Sequence, residues 1–149
     1  VCSFLFVAGM YAQESTNKRQ KHFNTYKNHL AIQGYDPVAY FTDGKAVKGT
    51  GSFRFEYKGI IYHFSSEEHK NLFEKNPAKY EPQYGGWCAY AMGDDGDKVE
   101  INPATFKIVN GKLYLFYNKG GENTKTYWNE KEDELMKAGN QNWNEIIGK

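Results

Sequence analysis

Between Ser52 and Ser66 the chain reads SFRFEYKGIIYHFSS, and aromatic rings alternate with charges: Phe53, Phe55 and Tyr57 against Arg54 and Glu56. A period of two is the mark of a strand with one buried face. Lys58-Gly59 then separates this run from a second one, Ile60 to Phe64. Together they predict a hairpin with a two-residue turn. Ser65-x-x-Glu68 has the spacing of a capping box and predicts a helix running to about Lys75, with Leu72 and Phe73 inward. Asn76-Pro77 stops it, and Pro77 suits the first position of another helical turn.

The same reading extends along the chain. Residues 13–21 (QESTNKRQK) are polar and are expected to form a flexible leader. His22 to Ile32 is a mixed lead-in. In 34-GYDPVAYF-41, Pro37 forces an extended Asp36 and Val38 to Phe41 reads as a short strand, with a turn at Asp43-Gly44. Lys98 to Asn102 is a further short strand. Phe106–Val109 and Leu113–Tyr117 flank Asn110-Gly111 as a second hairpin. From Asn123 to Ile147 the apolar spacing is helical, through Trp128, Leu135, Met136, Trp143, Ile146 and Ile147, with a break expected at Gly139. The order is α+β: a small antiparallel sheet built of hairpins, short inserted helices and a C-terminal helical segment.

A chain of 149 residues can bury a core without disulfides or metals. Its net charge of +1 is spread without a basic stripe, which argues against nucleic acid as a partner. The opening VCSFLFVAGMYA resembles the apolar region and cleavage site of a secretory signal. It is too short to span a bilayer, which takes about 20 residues. The expected organisation is therefore 1–12 as a signal remnant, 13–31 as polar leader and lead-in, and 32–149 as one domain. The protein is expected to be exported, periplasmic or secreted, with no stable membrane insertion once the signal is removed. Cleavage after Ala12 would remove Cys2 and leave Cys88 as the one thiol, unable to form an internal disulfide.

The segments 35-YDPVAYF-41 and 57-YKGIIYHFSSEEHKNLFEKNPAKY-80, followed by 84-YGGWCAY-90 and 111-GKLYLFYN-118, resemble the YHS domain family, in its exported bacterial branch. The resemblance runs from about Ile32 to Ile147. It implies a small α+β fold and, for many relatives, a role in copper or heavy-metal handling. Metal-binding relatives read DPVCGM and YFCSEEH at these places. Here Ala39 and Ser65 stand where the two cysteines would be and Phe41 where the methionine would be, while His69 keeps a possible ligand. Alanine offers no donor atom, and a neutral hydroxyl is a poor ligand for soft metals.

Other chemistry centres on 84-YGGWCAYAMGDDGD-97. Cys88 and Met92 lie four apart and would share one face of a helix. With His63 or His69 they would make a soft donor set for copper. Against this stands the plainer reading of Cys88 as a small buried hydrophobe and Met92 as a gap-filler. A Cys88 nucleophile with a histidine base is a third reading, and enzyme activity is on balance not expected. The run 94-DDGD-97 lacks the ligand spacing of a calcium loop and reads as a turn. His22 and His29 read as solvated. Tyr35, Tyr40, Trp87, Tyr90 and Tyr117 could line a pocket or pack as core. With no C-x-x-C-H there is no haem attachment site. The sequence thus points to a binding protein for a metal ion (copper) or, alternatively, a metal-free module for a small ligand or a protein partner.

Overall fold

The structure, a computed structural model, describes residues 2–149, with side chains from Val7 onward. Val1 and the side chains of residues 2–6, which carry most of the expected signal-like apolar run, lie outside the described residues. A helix, α1 (Cys2–His22), opens the chain. It leads through β1 (Thr25–Tyr26), a 3-10 turn and β2 (Leu30–Ala31) into α2 (Ala39–Thr42). Next come the hairpin β3 (Thr50–Tyr57) and β4 (Ile60–Phe64), then α3 (Glu67–Lys75), α4 (Pro77–Tyr80) and α5 (Ala89–Asp94). The hairpin β5 (Asn102–Val109) and β6 (Lys112–Phe116), the small pair β7 (Asn118–Lys119) and β8 (Glu122–Asn123), and α6 (Thr124–Glu130) and α7 (Glu132–Ile147) complete it. The fold is α+β, as the pattern indicates.

Both expected hairpins form, for the expected reason. Lys58 and Gly59, and Asn110 and Gly111, all have positive φ, the geometry of two-residue turns that match strand twist. The sheet itself is mixed rather than purely antiparallel. Its order is β1-β2-β4-β3, and β2 runs parallel to β4 with Leu30 opposite Ile61. The β5–β6 hairpin is a separate two-stranded sheet.

Four local expectations change. Residues 13–21 are helical rather than a flexible leader, because Arg19 and Gln20 bind the first hairpin. Arg19 donates to Glu81 at 2.7 Å and to the Lys58 carbonyl at 3.1 Å, and Gln20 donates to the Gly59 carbonyl at 3.1 Å. Residues 39–42 are helical rather than a strand, because the Asp36 side chain accepts from the backbone N–H groups of Val38 and Ala39 and bends the chain. Lys98–Ile101 has no strand pairing; β5 begins at Asn102. The C-terminal helices part at Lys131 and not at Gly139, which stays inside α7 against the Tyr84 ring.

The core lies in two connected clusters. In the first, Phe73 of α3 is fully buried among Phe55, Tyr57, Tyr62, Phe64 and Tyr80, with ring centroids 4.7–6.4 Å away. Enclosed rings of this kind contribute on the order of 3–5 kcal/mol when judged by truncation to alanine. The second cluster sets Trp128 against Tyr114 and Phe116, beneath α5 and α7. No helix among the described residues is long and apolar enough to cross a membrane.

The approach of α5 to α7 needs Gly93, where an added Cβ would lie 2.5 Å from the Leu135 carbonyl oxygen. Gly93→Ala is expected to lower unfolding stability by about 1–3 kcal/mol in urea titrations. Gly9→Ala, in α1 with open space around it, is expected to leave it unchanged or slightly raised.

Candidate functional site

Asp36 is the most heavily engaged side chain among the described residues. It is fully buried, in extended backbone ahead of Pro37, and both oxygens are taken. Oδ1 accepts from Val38 N at 2.8 Å and Ala39 N at 3.2 Å. Oδ2 accepts from Ser65 N at 2.8 Å and Ser65 Oγ at 2.7 Å, and lies 2.6 Å from His69 Nδ1. Five donors offset the desolvation of a carboxylate, which would otherwise be prohibitive. Ser65 comes from the turn between β4 and α3. His69 comes from the first turn of α3, where Ser66 caps the helix by accepting from His69 N at 3.1 Å. The N-cap is thus Ser66 and not the Ser65 of the expected capping box, which leaves Ser65 to Asp36.

The far edge of the His69 ring faces α2. Nε2 lies 3.2 Å from Thr42 Oγ1 and 3.8 Å from Asp43 Oδ1. A carboxylate, an imidazole and a hydroxyl in line are the parts of a base-activated nucleophile. The Thr42 hydroxyl, however, has its shortest contact with Asp43 Oδ1, at 2.9 Å, and a further acceptor in the Val38 carbonyl at 3.3 Å, so the ring competes with two other acceptors for its one proton. The arrangement orients and locks; it links α2, the β4–α3 turn and α3.

The structure does not gather the four expected metal ligands. Cys88 is the N-cap residue of α5 with ψ 120°, outside the helix, so the shared helical face with Met92 is lost. The Cys88 side chain is fully buried in the first core cluster and that of Met92 in the second. The Cys88 sulfur accepts from Tyr117 N at 3.3 Å and lies 3.4 Å from Thr124 Oγ1; no histidine is its partner. His69 is committed to Asp36. His63 projects from the opposite face of β4. No group of three or more His, Cys, Asp or Glu that could hold a metal occurs among the described residues.

The positions of the metal-binding pattern fit a metal no better. Ala39 brings only a backbone N–H, Ser65 donates its proton to Asp36, and the two nitrogens of His69 face opposite ways. The buried carboxylate has no free oxygen to offer.

The aromatic residues suggested for a pocket pack as core instead: Tyr40 is buried in the first cluster with Tyr35, Tyr90 and Tyr117 against it, and Trp87 packs on the second. Tyr40 donates to the Pro103 carbonyl at 2.7 Å, Trp87 to the His22 carbonyl at 2.7 Å, and Tyr90 stacks near Tyr127. Asp95 to Asp97 form a turn in which Asp97 N donates to Asp95 Oδ1. His63 lines an open cleft of about 390 Å³ with Lys27, Asn28, Leu30, Gly51, Arg54 and Ile61. Burial lowers its pKa first, and the charges of Arg54 and Lys48 lower it further.

His22, expected in solvent, is 7% exposed at the end of α1. Lys98 donates to its Nδ1 at 3.1 Å, which leaves the ring proton on Nε2, a buried atom with no partner among the described residues. Burial lowers its pKa, as do Lys98, Lys21, Lys149 and Lys18. Asp36 and Thr42 carry no sequence signal beyond a polar residue before proline and a hydroxyl before a turn. The contacts that matter arise between segments about 30 residues apart.

In comparisons with known proteins, residues 38–84 match the YHS domain. No curated protein and no solved structure matches the chain.

Asp36→Ala is expected to cost on the order of 3–5 kcal/mol, since it strands several buried donors, and Ser65→Ala about 1 kcal/mol. Urea unfolding followed by tryptophan fluorescence reads both. The lowered His22 pKa means that the folded state binds fewer protons than the unfolded chain. Its contribution is complete above pH 6.5 and is lost as pH falls below that value. The urea midpoint is therefore expected to fall between pH 7.5 and pH 5.5, and to fall less in His22→Asn.

Proposed function

Since residues 38–84 form a YHS domain, we propose that the protein is an exported binding module that works without a metal. The observation that carries this reading is the saturation of Asp36. The place where metal-binding relatives bring thiolates together here holds Ala39, a hydroxyl and a carboxylate whose oxygens already accept from neighbouring groups. Those contacts make a rigid joint, on which the sheet and its clefts are carried. The buried state of Cys88 supports the same reading and removes the conditions for a thiol nucleophile, which needs exposure and a base. Export rests on the signal-like composition of residues 1–12.

Copper handling, the role that the family resemblance implies, has the domain match in its support. It would require Cys88 or Met92 to leave the core, at a cost of about 2–5 kcal/mol for each large side chain withdrawn from its packing.

Equilibrium dialysis of the full chain against Cu(I) and Zn(II) under reducing conditions, with Cys88→Ala alongside, decides between the two. Less than stoichiometric metal in both proteins is the expected result. One tightly held ion per chain, lost in Cys88→Ala, would overturn the metal-free reading.

A further inference from the structure

The outer face of the four-stranded sheet carries a cluster of basic side chains that no ion pair among the described residues engages. Arg54 of β3 and His63 of β4 are directly paired across the hairpin, so their side chains stand together on one face. Alternation puts Tyr62 and Phe64 on the other face, in the core. Leu30 and Ile61 are opposite one another on the parallel pair and form the adjoining floor, both half-buried. Lys27 and Asn28 overhang it from the 3-10 turn before β2, where Asn28 and His29 hold left-handed backbone with φ 58° and 64°.

No carboxylate lines this cleft of about 390 Å³. The ion pairs among the described residues engage Lys18, Arg19, Lys70, Lys107 and His69, and none of them uses Lys27 or Arg54. The nearest acid on the same face of β3 is Glu56, opposite Ile61 and exposed. Lys48 adds to the positive field at His63 while its own ammonium donates to the Gln33 carbonyl at 2.6 Å. In a chain of net charge +1, this is a local excess and not a general one. Gly51 leaves one side of the His63 imidazole uncovered, where a Cβ would be in contact with it at 3.8 Å from Cε1.

The geometry points to a binding site for a small organic anion, with a phosphate or carboxylate head held by Arg54, His63 and Lys27 and an apolar body resting on Leu30 and Ile61. A guanidinium presents paired donors to the two oxygens of such a head, and the imidazole and the ammonium close the remaining sides. The adjacent apolar floor separates this ligand from a bare ion. The inference names the ligand class for the binding role proposed above and rests on that reading. Its test uses different residues, so a metal found at Cys88 would sink that role and leave the cleft's affinity unchanged.

The test is a titration of the full chain with butyl phosphate and with hexanoate, read by NMR at the His63 Cε1–H, with inorganic phosphate and hexanol as controls. Saturable shifts with either organic anion, a rise in the His63 titration midpoint on binding, and an affinity about tenfold lower in Arg54→Gln are expected. The anion that saturates first identifies the head group. Inorganic phosphate should bind more weakly and hexanol should leave His63 unmoved. No saturable shift with either anion, equal affinity in Arg54→Gln, or equal affinity for inorganic and butyl phosphate would overturn the proposal. Arg54 is exposed, so its replacement leaves the fold intact, and Ile61→Ala, expected to weaken butyl phosphate but not inorganic phosphate, checks the apolar floor separately.

Discussion

A carboxylate sealed from water cannot be left half-satisfied, and the architecture around Asp36 follows from that constraint. Its hydrogen bonds fix three different pieces of chain. Two start α2, two hold the end of β4, and one orients the imidazole at the head of α3. Removing any one donor leaves a lone pair unpaired in a low-dielectric interior, so the contacts support one another. The hairpin, the helix that packs on it and the segment before them are thereby placed as a unit. The chemistry that could have made this spot reactive or metal-binding is used up in holding it.

A second polar joint attaches the rest. Glu81 accepts from Arg19 and from the buried Tyr62 hydroxyl, whose pKa burial and that neighbouring carboxylate push well upward. Arg19 also stacks on Phe23, 4.3 Å from the ring centroid. Helix α1, β4 and the segment after α4 therefore meet at one charge pair, with little water to screen it. The C-terminal half uses a different principle. Gly93 and Gly139 let backbones and rings approach closely, and Trp128 fills the space between β6 and α6.

Elements with a purely local cause were legible in the sequence. Alternation and positive-φ turns specified both hairpins, and Pro77 marked a helix start. What stayed hidden depended on contacts between distant segments. The propensity of Val38 to Phe41 favours a strand, but one aspartate two residues upstream supplies the acceptor that turns it helical. Cys88 and Met92 have helical spacing, but the helix begins one residue too late for the spacing to matter. His22 looks solvated until Trp87 and Lys98 close over it. The outer-face pairing of Arg54 with His63 was implicit in the hairpin register. Its significance appeared only when β2 and the overhanging turn were in place beside it.

The two hairpin turns are alike in sequence logic and unlike in surroundings. At Gly59 an added Cβ would press on Thr16 and Gln20 of α1, whereas Gly111 has nothing within 4 Å. Two turns of the same type thus differ as points of attachment. A fluorophore, an affinity tag or an inserted peptide joined at Asn110-Gly111 would extend into solvent. The same addition at Lys58-Gly59 would lift α1 from its seat. For anyone labelling or immobilising this protein, the second hairpin is the handle and the first is part of the frame.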